Sequence, residues 1–394
     1  MPETYQHNGI PVGPLKIIPV EGCMTLCEEV DAYIAMWRSS RSDPLHTNSF
    51  FADYQTDSYM IEAGTPRFSS GEGKGVLEES VRGDDIFIVC DVMNHAVTYD
   101  MNGLKNHLSP DDHFQNLKRV IAAIGGKARR MTVIMPFLYE SRQHRREGRE
   151  SLDCAMALQE LEDMGVSSII TFDAHDPRVQ NAIPLGGFET VMPSYQFIKA
   201  LLRFDKDLNV DKDHLMFISP DEGAMNRVVY YANVLGVGAG MFYKRRDYTR
   251  VVNGRNPIVA HEFLGQDLDG MDVVIADDMI SSGDSLLDIA TELKRRKAGK
   301  IYACVTFGLF TNGLEAFDRA YEQGLFDQIF TTNLIYQMPE LRKRPWYTSV
   351  NMSKYIALII DTLNHDESIS NLLNPTEKIH SLVRKRLEEK DARS

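Results

Sequence analysis

The sequence predicts an α/β fold in two units, each built on a mainly parallel sheet flanked by helices. Apolar, β-branched runs alternate with helical patterns along most of the chain, the order that packs helices against parallel strands. The apolar runs are continuous rather than alternating, as expected of strands covered on both faces. A length of 394 residues exceeds what one core of ordinary size organises, so two domains are expected, divided as 1–194 and 195–394.

The strands are placed at Ile86–Val92, Met131–Pro136, Ser168–Phe172, Leu215–Ile218, Val273–Ala276 and Ile301–Phe307. A helix is expected after Ser109, whose hydroxyl can cap it, with Pro110 at its first position and Gly125-Gly126 as its stop. A second begins at Ser151 and runs through Leu158 and Leu161 to Gly165. A third follows Ser285 with Leu286, Leu287, Ile289, Ala290 and Leu293 as its apolar side, and ends near Lys297. The charged stretch Glu377–Ser394 reads as a surface helix or a frayed tail.

Composition excludes several function classes. Hydrophobic residues at 43% and charged residues at 25% describe a soluble globular chain rather than a disordered one. Lys plus Arg number 43 against 56 Asp plus Glu, a net charge of −13, which argues against a general nucleic-acid binder. Phosphate ligands stay open, because a few local cations or a metal can hold them. There is no apolar run long enough for a membrane span, and Met1–Val20 lacks the pattern of a signal peptide. Cys23, Cys27, Cys90, Cys154 and Cys304 are odd in number, mostly sit in apolar runs and show no CxxC pair. Buried reduced thiols in a cytoplasmic protein are the expectation, ahead of a metal or disulfide role.

The chemistry gathers where strands end, the usual place for ligands in open α/β sheets. The richest segment is Val273–Ala276, then Asp277-Asp278, Met279-Ile280, and Ser281-Ser282-Gly283-Asp284-Ser285. A hydrophobic strand delivers two adjacent carboxylates suited to two adjacent ribose hydroxyls. The small-residue turn that follows, opening a helix, offers backbone amides and hydroxyls to a phosphate. The alternative is a turn with helix-capping residues. Asp173 and His175 stand two apart at a strand end, where they can point toward one Mg²⁺ or serve structure alone. Asp221 follows a buried strand and can equally cap a helix. Arg142–Arg149 is a basic loop able to fold over a triphosphate or simply to face solvent, and Lys244 and Arg246 can be ordinary surface cations.

The Asp277–Ser285 segment resembles the phosphoribosyl pyrophosphate loop of phosphoribosyltransferases and ribose-phosphate pyrophosphokinases. Five further segments are similar to elements of the pyrophosphokinases alone, and they stand in that family's order. Phe68-Ser69-Ser70-Gly71-Glu72 with Glu79–Gly83 resembles the element through which a neighbouring subunit completes the adenine pocket. Tyr139–Arg146 resembles the ATP-contacting segment, and Phe172-Asp173-Ala174-His175 the element that helps hold magnesium on ATP. Ser219-Pro220-Asp221-Glu222-Gly223, followed by Arg227, and Tyr243-Lys244-Arg245-Arg246 complete the set.

The resemblance implies two phosphoribosyltransferase-like domains and a ribose-phosphate diphosphokinase that uses Mg²⁺, ATP and ribose 5-phosphate and releases AMP. It implies that Phe68, Glu72, Arg142, Gln143 and His144 contact ATP, that Asp173, His175 and Asp221 place the metal, and that Lys244 and Arg246 stabilise the transferring group. Asp277, Asp278, Ser281, Ser282, Gly283, Asp284 and Ser285 would hold ribose 5-phosphate. Relatives are usually homo-oligomers. The chain departs from the family pattern at Ser281, Asp284, Ser70 and Ala174, as a divergent branch would. A noncatalytic regulatory relative and a phosphoribosyltransferase are the alternatives; the latter leaves Asp173, His175, Asp221, Lys244 and Arg246 without a task.

Overall fold

The computed structural model describes residues 9–41, 53–246 and 258–391, with the backbone alone at 244–246, 258–261 and 391. The chain divides into two compact units. The first runs to Met192 and takes in Asn333–Tyr336 and Asn351–Asn374; the second holds Pro193–Thr332, Gln337–Val350 and the chain from Pro375 onward. After Thr332 the chain thus returns twice to the first unit, which a division into two continuous stretches does not describe.

In the first unit five strands pair in chain order and all in parallel: β1 (Leu15–Pro19), β2 (Asp85–Val89), β3 (Arg130–Ile134), β4 (Ser168–Phe172) and β5 (Gly187–Val191). Helices α1 (Met24–Ser39), α2 (Pro110–Ile124) and α3 (Asp153–Asp163) lie between them in sequence. The capping of α2 is fuller than its sequence announced. Ser109 Oγ accepts from Asp112 N, Asp112 Oδ2 accepts from Ser109 N, and Gly125 closes the helix at φ 62°. Helix α3 starts two residues after Ser151, whose hydroxyl donates to Asp153 Oδ2 instead of capping.

The second unit carries seven strands: β6 (Leu215–Ser219), β7 (Gly238–Arg246), β8 (Ile258–Leu264), β9 (Asp272–Ile280), β10 (Ile301–Gly308), β11 (Gln328–Thr332) and β12 (Tyr347–Val350). Their order is β8-β7-β6-β9-β10-β11-β12, parallel throughout except for the β7–β8 pair. Its helices include α4 (Ser194–Phe204), α5 (Met225–Leu235), α6 (Asp284–Arg295) and α7 (Glu315–Glu322). The unbroken hydrophobicity of these strands now has its cause. Met216, Ile218, Val273, Ile275, Ala303 and Val305 pack with Ile289, Leu293 and Phe317 on one face of the sheet. Leu215, Phe217, Val274, Ala276, Tyr302 and Cys304 pack with Phe197, Leu201 and Val228 on the other.

Helix α8 (Ser353–Asn364) belongs to the first unit and α9 (Thr376–Asp391) to the second. Burial of Ile356, Ile359 and Ile360 holds α8 in place, and a buried ionic network fixes its register. Arg38 Nε of α1 donates to Asp361 Oδ1 at 2.8 Å, and Arg130 grips Asp85 with two 2.8 Å bonds while donating to Leu363 O. Removing one member would strand a buried charge. Asp85 and Arg130 sit at the N-terminal ends of their strands, which leaves the opposite edge of the sheet to the chemically loaded loops. The five cysteines are free and buried. Among the described residues no helix is long and apolar enough to cross a membrane.

Candidate functional site

The strand order of the second unit reverses between β6 and β9. At such a switch point the connections leave toward opposite faces and a crevice opens beyond the strand ends. A cavity of about 130 Å³ lies there, lined among others by Pro220 and Asp221 after β6, Asp277 and Met279 of β9, and Ser281, Ser282, Gly283 and Ser285 of the turn into α6. The fold therefore brings Asp221 and Asp277 to one cavity with the small-residue turn.

The turn itself is built by glycine. Gly283 caps α6 at φ 93°, and a Cβ there would run into the Phe317 ring. This residue is thus required for shape. Asp284 opens the helix and is exposed. It does not line the cavity, and its carboxylate accepts the Ser282 hydroxyl at 2.9 Å. A charge expected to face the phosphate instead lies beside the seat.

Asp278 is buried, and its N–H donates to Asp277 Oδ1 at 2.9 Å. The Asp277 carboxyl titrates well above the usual carboxylate range. Burial is the main cause and the neighbouring Asp278 charge adds to it, while the Arg227 guanidinium, 3.9 Å away, opposes both. Arg227 appears in the sequence only as the arginine after Ser219–Gly223, with no task assigned; its nearness to Asp277 gives it one. Asp221 Oδ1 accepts from Gly223 N at 2.9 Å and from Ala224 N at 3.4 Å. Asp221 thus braces the turn ahead of α5 and does not cap that helix, whose N-cap is Ala224; it also stands in the cavity wall.

In the first unit the loops after β3 and β4 meet. His144 lies 3.6 Å from Asp176 and its ring centroid 5.3 Å from that of His175, so the basic loop and the Asp-x-His loop are neighbours. Asp176 is drawn down to about 2 by its bidentate partner Arg178, whose backbone N–H also donates to it. Asp173 is buried and His175 exposed. Both loops contain a non-glycine residue in the left-handed region, Glu140 at φ 54° and Asp173 at φ 43°, a strain that sites retain where the surroundings enforce it. Glu140 O accepts from Gln143 N, and Arg142 projects into solvent. The ring of Tyr139 stacks on Phe114 at 4.3 Å and its hydroxyl donates to Asp111, anchoring the start of the loop to α2. No local pattern announced that anchor. Phe68 is exposed at a tight turn closed by Phe68 N to Glu72 O, and Glu72 accepts the Ser70 hydroxyl.

Two placements differ from the sequence reading. Asp277 and Asp278, read as following a strand that ends at Ala276, lie within β9, which runs to Ile280. Tyr243–Arg246, read with the strand-end loops, forms the end of β7. It continues as a strand because β8 pairs with it antiparallel, Lys244 opposite His261 and Arg246 opposite Ile258, with a register shift between Arg245 and Arg246.

Residues 15–165 match the profile of the N-terminal domain of ribose phosphate pyrophosphokinase, and residues 194–341 match that of the phosphoribosyl transferase domain. The chain belongs to the ribose-phosphate pyrophosphokinase family. The ribose-phosphate pyrophosphokinase of Vibrio parahaemolyticus is 28% identical over 318 residues, which cover 79% of this chain and 91% of that one. Its counterpart from Staphylococcus epidermidis is 26% identical over 335 residues, covering 84% and 95%. The solved structure of phosphoribosylpyrophosphate synthetase from Mycobacterium smegmatis matches at a TM-score of 0.69 and 18% identity over 89% of this chain and 99% of that one, which establishes the shared fold. Such identities describe a divergent family member.

Proposed function

We propose that this chain is a ribose-phosphate diphosphokinase, moving the β,γ-diphosphoryl group of ATP to the 1-hydroxyl of ribose 5-phosphate. The observation that carries the reading is the cavity at the switch point, where Asp277, Asp221 and a glycine-capped helix start share one wall, with the buried Asp278 directly behind Asp277 in the chain. The 5-phosphate sits on the turn Ser281–Ser285, where backbone amides and the helix dipole favour an anion. Asp277 and Asp278 hold the ribose hydroxyls and fix the direction of the 1-hydroxyl. Its oxygen attacks the β-phosphorus, the bond from that phosphorus to the AMP-side oxygen breaks, and the hydroxyl proton passes to solvent. Lys244 and Arg246 stabilise the transferring charge, one as a point cation and the other as a fork. In the first unit Arg142, Gln143 and His144 grip ATP, and Phe68 and Glu72 serve an adenine pocket completed in a homo-oligomer. Catalysis is then mostly positioning and electrostatics.

Asp173 and Asp221 offer the carboxylate oxygens that magnesium prefers. Among the described residues no three metal-ligating side chains converge, so the oxygens come singly, as suits a Mg²⁺ carried in on phosphates and held by one or two carboxylates. Asp173 and His175 would meet it on the first unit, and Asp221 would meet it on the second. When bound, the ion neutralises phosphate charge.

Incubating the protein with ATP, Mg²⁺ and ribose 5-phosphate tests the reading by phosphorus NMR. One AMP and one pyrophosphorylated ribose per turnover are expected; ADP as coproduct, or no turnover, would contradict it. A second reading, a noncatalytic binder of phosphoribosyl pyrophosphate, draws support from the engaged Ser282 hydroxyl, and binding without turnover is its signature.

A further inference from the structure

We infer that Asp284 is a specificity-determining residue that weakens the phosphate seat by holding the Ser282 proton. The inference rests on reading the switch-point cavity as the ribose 5-phosphate site. Ser282 lines the cavity and Asp284 does not. The Ser282 hydroxyl donates to Asp284 Oδ2 at 2.9 Å and accepts from Asp284 N at 3.4 Å. A serine hydroxyl has a single proton. With that proton committed to a carboxylate, Ser282 meets a phosphate oxygen with a lone pair and repels it.

The same carboxylate also occupies the positive end of α6, a 12-residue helix capped by Gly283. An anionic side chain in the first turn already receives the stabilisation that a bound phosphate would draw from that end. Both effects act in one direction. The seat loses a donor and gains a nearby negative charge, while Asp277 and Asp278 still recognise the sugar. Selection therefore shifts from the 5-phosphate toward the ribose hydroxyls. Inorganic phosphate, which has no ribose, should be the poorest occupant of this seat.

Calorimetric titration with ribose 5-phosphate and with inorganic phosphate tests this on wild type, Asp284→Asn, Asp284→Gly, Ser282→Ala and the Ser282→Ala/Asp284→Gly pair. A recovered hydrogen bond to an anion is worth about tenfold in affinity. Asp284→Gly should bind ribose 5-phosphate about tenfold more tightly and lower its KM by a similar factor. Asp284→Asn, whose amide oxygen still accepts from Ser282 but carries no charge, should gain less; the KM for ATP should not change. Ser282→Ala should cost more ribose 5-phosphate affinity in the Asp284→Gly background than in wild type, cancelling the gain there. Asp284→Asn keeps the helix start intact, so its melting temperature separates a binding effect from a folding one. Unchanged affinity in folded Asp284 variants, or equal cost of Ser282→Ala in both backgrounds, would overturn the inference. Failure of every folded variant to bind ribose 5-phosphate would overturn the underlying assignment of the cavity as well.

Discussion

The two sheets present their loops in different ways. In the first unit the strands pair in chain order, and the basic and Asp-x-His loops lean on one another through His144, His175, Asp176 and Arg178. Strained residues and a stacked tyrosine keep them in shape. In the second unit the order reverses between β6 and β9, and the crevice is a property of the topology. Glycine shapes the turn there, and hydroxyls and carboxylates line an existing cavity. A switch point supplies a seat ready-made, whereas a sheet in simple order needs side-chain bonds between loops to make one.

The largest effect that would test this contrast is on the transferring group. Lys244→Ala should lower kcat by about a hundredfold to a thousandfold, the scale for losing one charge-stabilising group, with the melting temperature unchanged; normal steady-state turnover would remove Lys244 from the mechanism. Asp278→Ala should raise the KM for ribose 5-phosphate by about a hundredfold, consistent with two lost charged hydrogen bonds, and leave the KM for ATP within about twofold. Equal changes in both constants would mean the two loops do not divide the substrates.

Gly283→Ala combines a left-handed φ with a collision at Phe317. It should destabilise the second unit by about 1–3 kcal/mol, read by denaturant unfolding, and weaken ribose 5-phosphate binding at the same time. Smallest is the stability effect at Asp277. A carboxyl whose folded pKa is raised contributes stability below the unfolded carboxylate range and loses it as pH rises through the folded value. Burial and Asp278 raise Asp277, so at pH 7 to 8 the wild-type side chain costs stability. Asp277→Asn should melt about 2 °C or more above wild type while losing activity, and the gap should close toward pH 4.

Much of this was legible in the sequence where chemistry and topology ran together. The strand at Ser168–Phe172 was placed to the residue, and those after Asp85, Arg130, Leu215, Asp272 and Ile301 to within a few, because both faces of each are buried and the runs are long. Among the described residues, six of the twelve strands in the two large sheets gave no such signal. β5 starts at a glycine and carries Glu189, β7 holds two glycines and three cations, and β11 is half polar; pairing with neighbours overrides their weak local preference. The Asp277–Ser285 segment was legible because its chemistry is contiguous. The Tyr139–Phe114 stack and the Phe317 ring under Gly283 bring together residues 25 or more positions apart, and nothing local announces them. Asp284 was visible only as a carboxylate close to an expected phosphate; its bond to Ser282 needed the geometry.

The central claim is transfer of an intact diphosphoryl group to the sugar oxygen, which ¹⁸O at the 1-hydroxyl of ribose 5-phosphate tests most directly. The account predicts that the label stays on carbon 1 and bridges to phosphorus, seen as an isotope shift of the phosphorus NMR signal of the diphosphate group attached to the sugar. Loss of the label to water or to a leaving group would mean that the bond between carbon 1 and oxygen breaks, and would contradict it.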